Sequence, residues 1–112
     1  MAALVTTAAT VAAPLADLVG ALVPADDLGD TAEVGPGYVL VVSNVGAAPA
    51  TATIANPRTV QGLAVDDGTL TVAAGDMGMF PLVRLFRGSA ERAAITYDDA
   101  TDLVVGVVRL EG

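Results

Sequence analysis

The sequence predicts an all-β fold: an antiparallel β-sandwich, Ig-like or jelly-roll-like, of about seven strands with an extended N-terminal arm. Three observations predict it. From residue 38 onward, short runs rich in Val, Ile and Thr are separated by Gly-, Asp- and Pro-containing turns about every 8–12 residues. Two runs, 38–43 and 103–110, are almost continuously apolar, as strands central in a sheet are. The apolar residues are also small: 54% of the chain is hydrophobic but only 4% is aromatic, which suits a thin two-sheet core.

The elements follow in order. Residues 1–13 mix Ala, Val and Thr without charge and read as an extended arm or a strand. Residues 14–23 place Leu15, Leu18, Val19 and Leu22 at helical spacing after Pro14, but Gly20 and Pro24 hold this to a turn or two. Residues 25–37 are polar and turn-rich. Residues 38–43 form the first sandwich strand. In 50–56, Thr51 and Thr53 face one way and Ala52 and Ile54 the other, until Asn56-Pro57 breaks the run. A short strand at 60–65 leads to Asp66-Asp67-Gly68, a tight-turn signal of the hairpin kind. In 69–73, Leu70 and Val72 point inward and Thr69 and Thr71 outward, and Ala74-Gly75-Asp76 turns. Pro81 within 77–86 demotes that strand to an edge or a bulge, because proline cannot donate to a ladder. A loop at 87–92, a strand at 93–97, a turn at 98–101 and a long last strand at 102–110 complete the chain. Short loops imply antiparallel pairing. Residues 1–36 are thus an arm with a turn-rich lead-in, and 37–112 the sandwich. The strands at 38–43 and 103–110 each need a cover on their second face, from the N-terminal segment or a neighbouring subunit.

Composition bounds function. The length of 112 residues fits one domain. The net charge of −8 argues against nucleic acid and anionic membranes as partners. No basic region precedes the apolar N-terminus, and Pro14 and Asp17 interrupt it, so neither a secretory signal nor a membrane span is expected. Only 16% of residues are charged, below the roughly 25% of ordinary domains. So much apolar surface predicts an oligomer or an assembly.

Catalysis is not expected. Histidine and cysteine, the usual proton shuttle and thiol nucleophile, are absent. No GxSxG, Walker or dinucleotide motif occurs. A carboxylate pair could serve a glycosidase, but such a site wants sugar-stacking aromatics, and only four aromatic residues are present. No cofactor is implied. Three acidic clusters, Asp26-Asp27-x-x-Asp30, Asp66-Asp67 and Asp98-Asp99-x-x-Asp102, allow a calcium test. They lack the EF-hand pattern and read better as turn formers. All five basic residues are arginines and none precedes Arg58. Two readings stand for Arg84, Arg87 and Arg92: pairing with carboxylates at sheet edges, or facing the acidic surface of a neighbouring subunit.

The run "YVLVVSNVGAAPATATIANPRTVQGLAVDDGTLTVAAGDMGMFPLVRLF…AAITYDDATDLVVGVVRL" resembles small virion proteins of tailed bacteriophages of actinobacteria. The likeness is an ordered set: a strand ending in Asn44-Val45-Gly46, a Thr-alternating strand, "TLTVAAG" at 69–75, "FPL" at 80–82, and "ITYD…TDLVVGVVRL" at 95–110. It covers about residues 37–110, and the N-terminal third matches much less. The resemblance implies a capsid decoration, cement or minor capsid protein: a β-sandwich, often trimeric, bound to the major capsid protein on the outer surface of the head and assembled in the host cytoplasm. Under that reading the arm lies on the capsid or a neighbouring subunit. The expected interface residues are Leu4, Val5, Val11, Leu15, Leu18, Arg84, Arg87 and Arg92. The alternatives are a head–tail connector or tail-associated protein, and a carbohydrate- or receptor-binding sandwich. The last wants surface aromatics, whereas Tyr38, Phe80, Phe86 and Tyr97 read as internal.

Overall fold

The computed structural model describes residues 2–10, 16–57, 59–64, 66–88 and 91–110. They form an all-β sandwich, with single 3-10 turns at Val19–Ala21 and Arg84–Phe86. The strands are β1 (Ala2–Ala3), β2 (Thr6–Ala9), β3 (Val23–Pro24), β4 (Asp30–Glu33), β5 (Tyr38–Asn44), β6 (Ala50–Ile54), β7 (Thr59–Val60), β8 (Leu63–Ala64), β9 (Gly68–Val72), β10 (Met77–Pro81), β11 (Arg92–Tyr97) and β12 (Leu103–Leu110). One sheet has the order β1-β4-β11-β6-β9. The other runs β10-β5-β12-β2, with β3 also on β12. A separate hairpin joins β7 and β8.

The second sheet is organised by its two apolar strands. β5 and β12 pair antiparallel from Leu103 opposite Asn44 to Arg109 opposite Tyr38. Both sit inside their sheet, as their apolar runs require. Leu40, Val42, Leu103, Val105 and Val107 point into the core. They meet Ala32, Ala52, Ile54, Val72 and Ile95 from the other sheet. Small alanines opposite branched side chains let the sheets approach closely, and each fully buried Val, Leu or Ile contributes about 1.5–3 kcal/mol. Phe86 and Phe80 close one end with rings edge to face, 5.4 Å apart. β10 lies at the sheet edge with Pro81 opposite Val39, where a missing N–H costs least.

The structure differs from the sequence expectations at several points. Of the two readings of the opening segment, arm or strand, the described residues take the strand. β1 pairs parallel with β4, and β2 pairs parallel with β12, so residues 2–9 supply an edge to both sheets. Strand pairing thus begins well before the expected boundary at residue 37, and not every pairing is antiparallel. The turn-rich lead-in contains β4, whose Asp30 and Glu33 are poor strand formers and masked its alternation. The strand expected at 60–65 is a hairpin instead. Gln61 and Gly62 both have positive φ, 52° and 82°, the backbone of a two-residue primed turn. The tight turn expected at Asp66-Asp67-Gly68 is displaced to that position. Gly68 instead opens β9, and Asp67 Oδ1 accepts the Asn56 N–H at 2.7 Å.

The N-terminal segment also covers the outer face of β12. A methyl group added to Gly106 would meet Leu22 Cδ2 at 2.8 Å and the Ala21 carbonyl oxygen at 3.1 Å. Only glycine lets this cover lie flat on the strand. Gly106→Ala is expected to cost about 1–3 kcal/mol through overpacking. Urea denaturation measures the loss, and faster amide exchange at Val23 and Ala25 reports the lifted cover.

Candidate interaction surfaces

The two outer faces of the sandwich differ in chemistry. On the first sheet, Thr51 lies opposite Thr71, and Thr53 opposite Thr69 on one side and Thr96 on the other. The hydroxyls of Thr51 and Thr71 share a hydrogen bond of 3.0 Å. This is a solvated hydroxyl face with good strand propensity, as the alternation predicted. On the second sheet the outer face is apolar. Val41 and Val108 are buried there, outside the inter-sheet core. With Val39, Met79, Leu110 and Leu18 they line a groove of about 180 Å³. Met79 and Leu110 remain 65% and 57% exposed. Among the described residues, the N-terminal segment lies over the Gly106 end of this face, and Met79 and Leu110 stay exposed beside the groove at the other.

The expected interface residues fall in different places. Val5 is 83% exposed at the crossing between the sheets. Leu18 borders the apolar groove. Arg84 and Arg87 are exposed, in and just after the second 3-10 turn. Val11 and Leu15 lie outside the described residues. Leu4 and Arg92 both pack against their own chain. Leu4 is 5% exposed in the hydrophobic core, because the chain must cross from one sheet to the other at that point. Arg92 faces inward to its own chain. Its Nη2 donates to the carbonyls of Leu4 (2.9 Å) and Thr31 (3.0 Å), and its Nε to Thr31 Oγ1 (3.0 Å). The guanidinium fork thus ties the crossing at Leu4 to β4.

Within the acidic clusters Asp26 and Asp99 form local turns, whereas Asp30 lies in β4 and Asp67 and Asp98 bind the backbone of distant segments. Asp26 Oδ1 accepts the Leu28 N–H at 2.9 Å, a bond that holds its carboxyl below the usual range. Hydrogen bonds from Thr101, side chain and backbone, do the same for Asp99. Asp98 Oδ1 ties the Thr51 N–H at 2.8 Å. Among the described residues no three acidic side chains converge as metal ligands. Phe86 is buried, and Tyr38, Phe80 and Tyr97 pack against the core, so these aromatics offer no sugar-stacking platform.

Two of the buried polar groups, Asn44 and Asp30, organise the backbone around them. Asn44 is 2% exposed and donates Nδ2–H to the Ala48 and Val72 carbonyls, while its Oδ1 accepts the Gly46 N–H. It holds together the turn that the Asn-x-Gly signal marks. Asp30 is fully buried and accepts the Tyr97 hydroxyl at 2.6 Å. Neither was legible alone, because Asp and Asn in polar stretches read first as surface turn residues.

No protein-family model, no curated protein and no solved structure matches this chain.

The Asp30–Tyr97 bond carries a pH signature. Burial first, then the bond to Asp30, push the Tyr97 hydroxyl well above its ordinary value of 10.0. A raised pKa in the folded state gives stability that is complete below the unfolded value and lost as pH rises. Stability is therefore expected to decline above about pH 10. Tyr97→Phe is expected to lose about 1.5–3 kcal/mol at neutral pH and to flatten the decline above pH 10. Urea denaturation of both proteins between pH 7 and pH 11.5, about the range that brackets tyrosine ionisation, checks this.

Proposed function

We propose that this protein is a structural virion component: a capsid decoration or cement protein that binds the major capsid protein on the outer surface of a phage head and stabilises the shell. The observation that carries this reading is the apolar outer face of the second sheet. A groove walled by Val39, Val41, Met79 and Leu110 beside well-exposed apolar side chains is costly on an isolated monomer. The hydroxyl face on the opposite side suits solvent. A molecule with two such unlike faces lies flat on a surface, groove inward and threonines outward. The resemblance of residues 37–110 to small phage virion proteins supports the same role. The absence of histidine and cysteine from the chain favours binding over catalysis. A homotrimer over a junction between capsid subunits multiplies weak contacts by symmetry, and a sparsely charged chain suits such burial.

The test is copy number in purified particles, by quantitative mass spectrometry against the major capsid protein. A number comparable to that of the capsid subunit is expected. A few copies per particle would move the protein to the head–tail junction or the tail. Absence from the particle would overturn the virion role.

A further inference from the structure

The N-terminal segment closes one side of each sheet with β1 and β2, and the other side ends in β9 and β10. Among the described residues β10 pairs with β5 alone. Its hydrogen bonds show which way each residue of β10 faces. The Asp76 carbonyl accepts the Asn44 N–H, and the Leu82 N–H donates to the Tyr38 carbonyl, both at 2.9 Å. Antiparallel ladders alternate, so Gly78 and Phe80, which share this parity, also turn their backbone groups toward β5. Met77, Met79 and Pro81 turn theirs away from it. The N–H groups of Met77 and Met79 and the carbonyls of Met77, Met79 and Pro81 therefore line an unpaired edge. Pro81 sits where the ladder needs no N–H, which is why the strand tolerates it.

Exposed edges are usually blunted by charge, by bulges or by being very short. β10 carries no charged residue, and Met77 and Met79 are 43% and 65% exposed. Charges flank the strand instead. Exposed Asp76 precedes it, and exposed Arg84 and Arg87 follow it. Among the described residues none of these three side chains has a hydrogen-bond or ion-pair partner. The edge is thus negative at its start, apolar along its length and positive past its end.

Such an edge is complementary to itself. We propose that β10 pairs antiparallel with β10 of a second copy of this chain, about a twofold axis. Met79 then lies opposite the partner's Met79, and Met77 opposite the partner's Pro81. Every N–H of the edge finds an acceptor in this register. Met79 donates to the carbonyl of the partner's Met79, and Met77 to that of the partner's Pro81. The antiparallel sense brings Asp76 of each copy toward Arg84 of the other, whereas a parallel sense would set like charges together. Two copies of net charge −8 repel each other over most of their surfaces. Here they meet through uncharged strands whose ends attract. A strand of another protein could use the same backbone groups, but the order of charge along the edge matches this chain itself. The contact is isologous. It joins the two second sheets into one and sets both apolar grooves on a common face. It does not depend on the capsid reading, and its test uses the isolated protein.

The experiment is sedimentation equilibrium of the full-length protein at low ionic strength, where charge contacts are least screened. The wild type is expected to form dimers. Met79→Pro removes an N–H that points away from the ladder, as proline already does at position 81. It is expected to keep the wild-type urea midpoint and to weaken dimerisation at least about tenfold, because the twofold axis removes the bond twice. Asp76→Arg is expected to weaken the dimer by repulsion from Arg84, and adding Arg84→Asp to restore it. That rescue decides the matter if the proline variant does not fold. A monomeric wild type would overturn the pairing, and so would an oligomer that folded Met79→Pro leaves intact. A dimer that Met79→Pro dissolves but that is indifferent to the charge reversal would overturn the antiparallel register.

Discussion

The structure depends on one pairing, that of β5 with β12. These strands run antiparallel over seven facing pairs, from Leu103 with Asn44 to Arg109 with Tyr38. Both carry branched apolar side chains on both faces. Such a ribbon cannot stand in water with either face bare. Its inner face is answered by the alanine-lined first sheet, where Ala32, Ala52 and Ala93 leave room for Leu40, Val42, Val105 and Val107. Its outer face must be answered by something else, and among the described residues the N-terminal segment answers part of it.

That answer comes from the N-terminal segment, which does three jobs in sequence. β1 closes the edge of one sheet and β2 the edge of the other, with Leu4 buried at the crossing. Closed edges protect a sandwich from unwanted strand pairing. The 3-10 turn at Val19–Ala21 and Leu22 then lie across Gly106. Arg92 ties the crossing down by donating to Leu4 and Thr31 together. Among the described residues, a groove over Val41 and Val108 lies beyond this cover, bordered by the exposed Met79 and Leu110. The proposed partner surface is that exposed border.

Much of the sandwich was legible in the sequence because period-2 alternation and turn residues report local geometry directly. The outward threonines, the inward Leu70 and Val72, and the edge position of Pro81 all follow from that rule. What was not legible is long-range. Nothing in "AALVTTAA" distinguishes a free arm from strands that pair with residues a hundred positions away. Parallel pairing leaves no short-loop signal. β4 was hidden because Asp30 carries the composition of a turn while its side chain is buried. Leu4 and Arg92 look like surface anchors until the crossing places one in the core and the other beside it. The apolar groove was half visible: the sequence demanded a second cover for 38–43 and 103–110 but could not say where it stops.

The central claim is that the first ten residues complete the fold. The most direct measurement is urea denaturation of a protein lacking residues 2–10, compared with the full chain. The account predicts a loss of more than about 4 kcal/mol, or no cooperative transition. Deletion removes the buried Leu4 side chain, at about 2–5 kcal/mol for such residues, takes the Leu4 carbonyl from Arg92 and strips β2 from the edge of β12. An unchanged midpoint and slope would contradict it. The segment would then be an appendage, and the sandwich would stand without it.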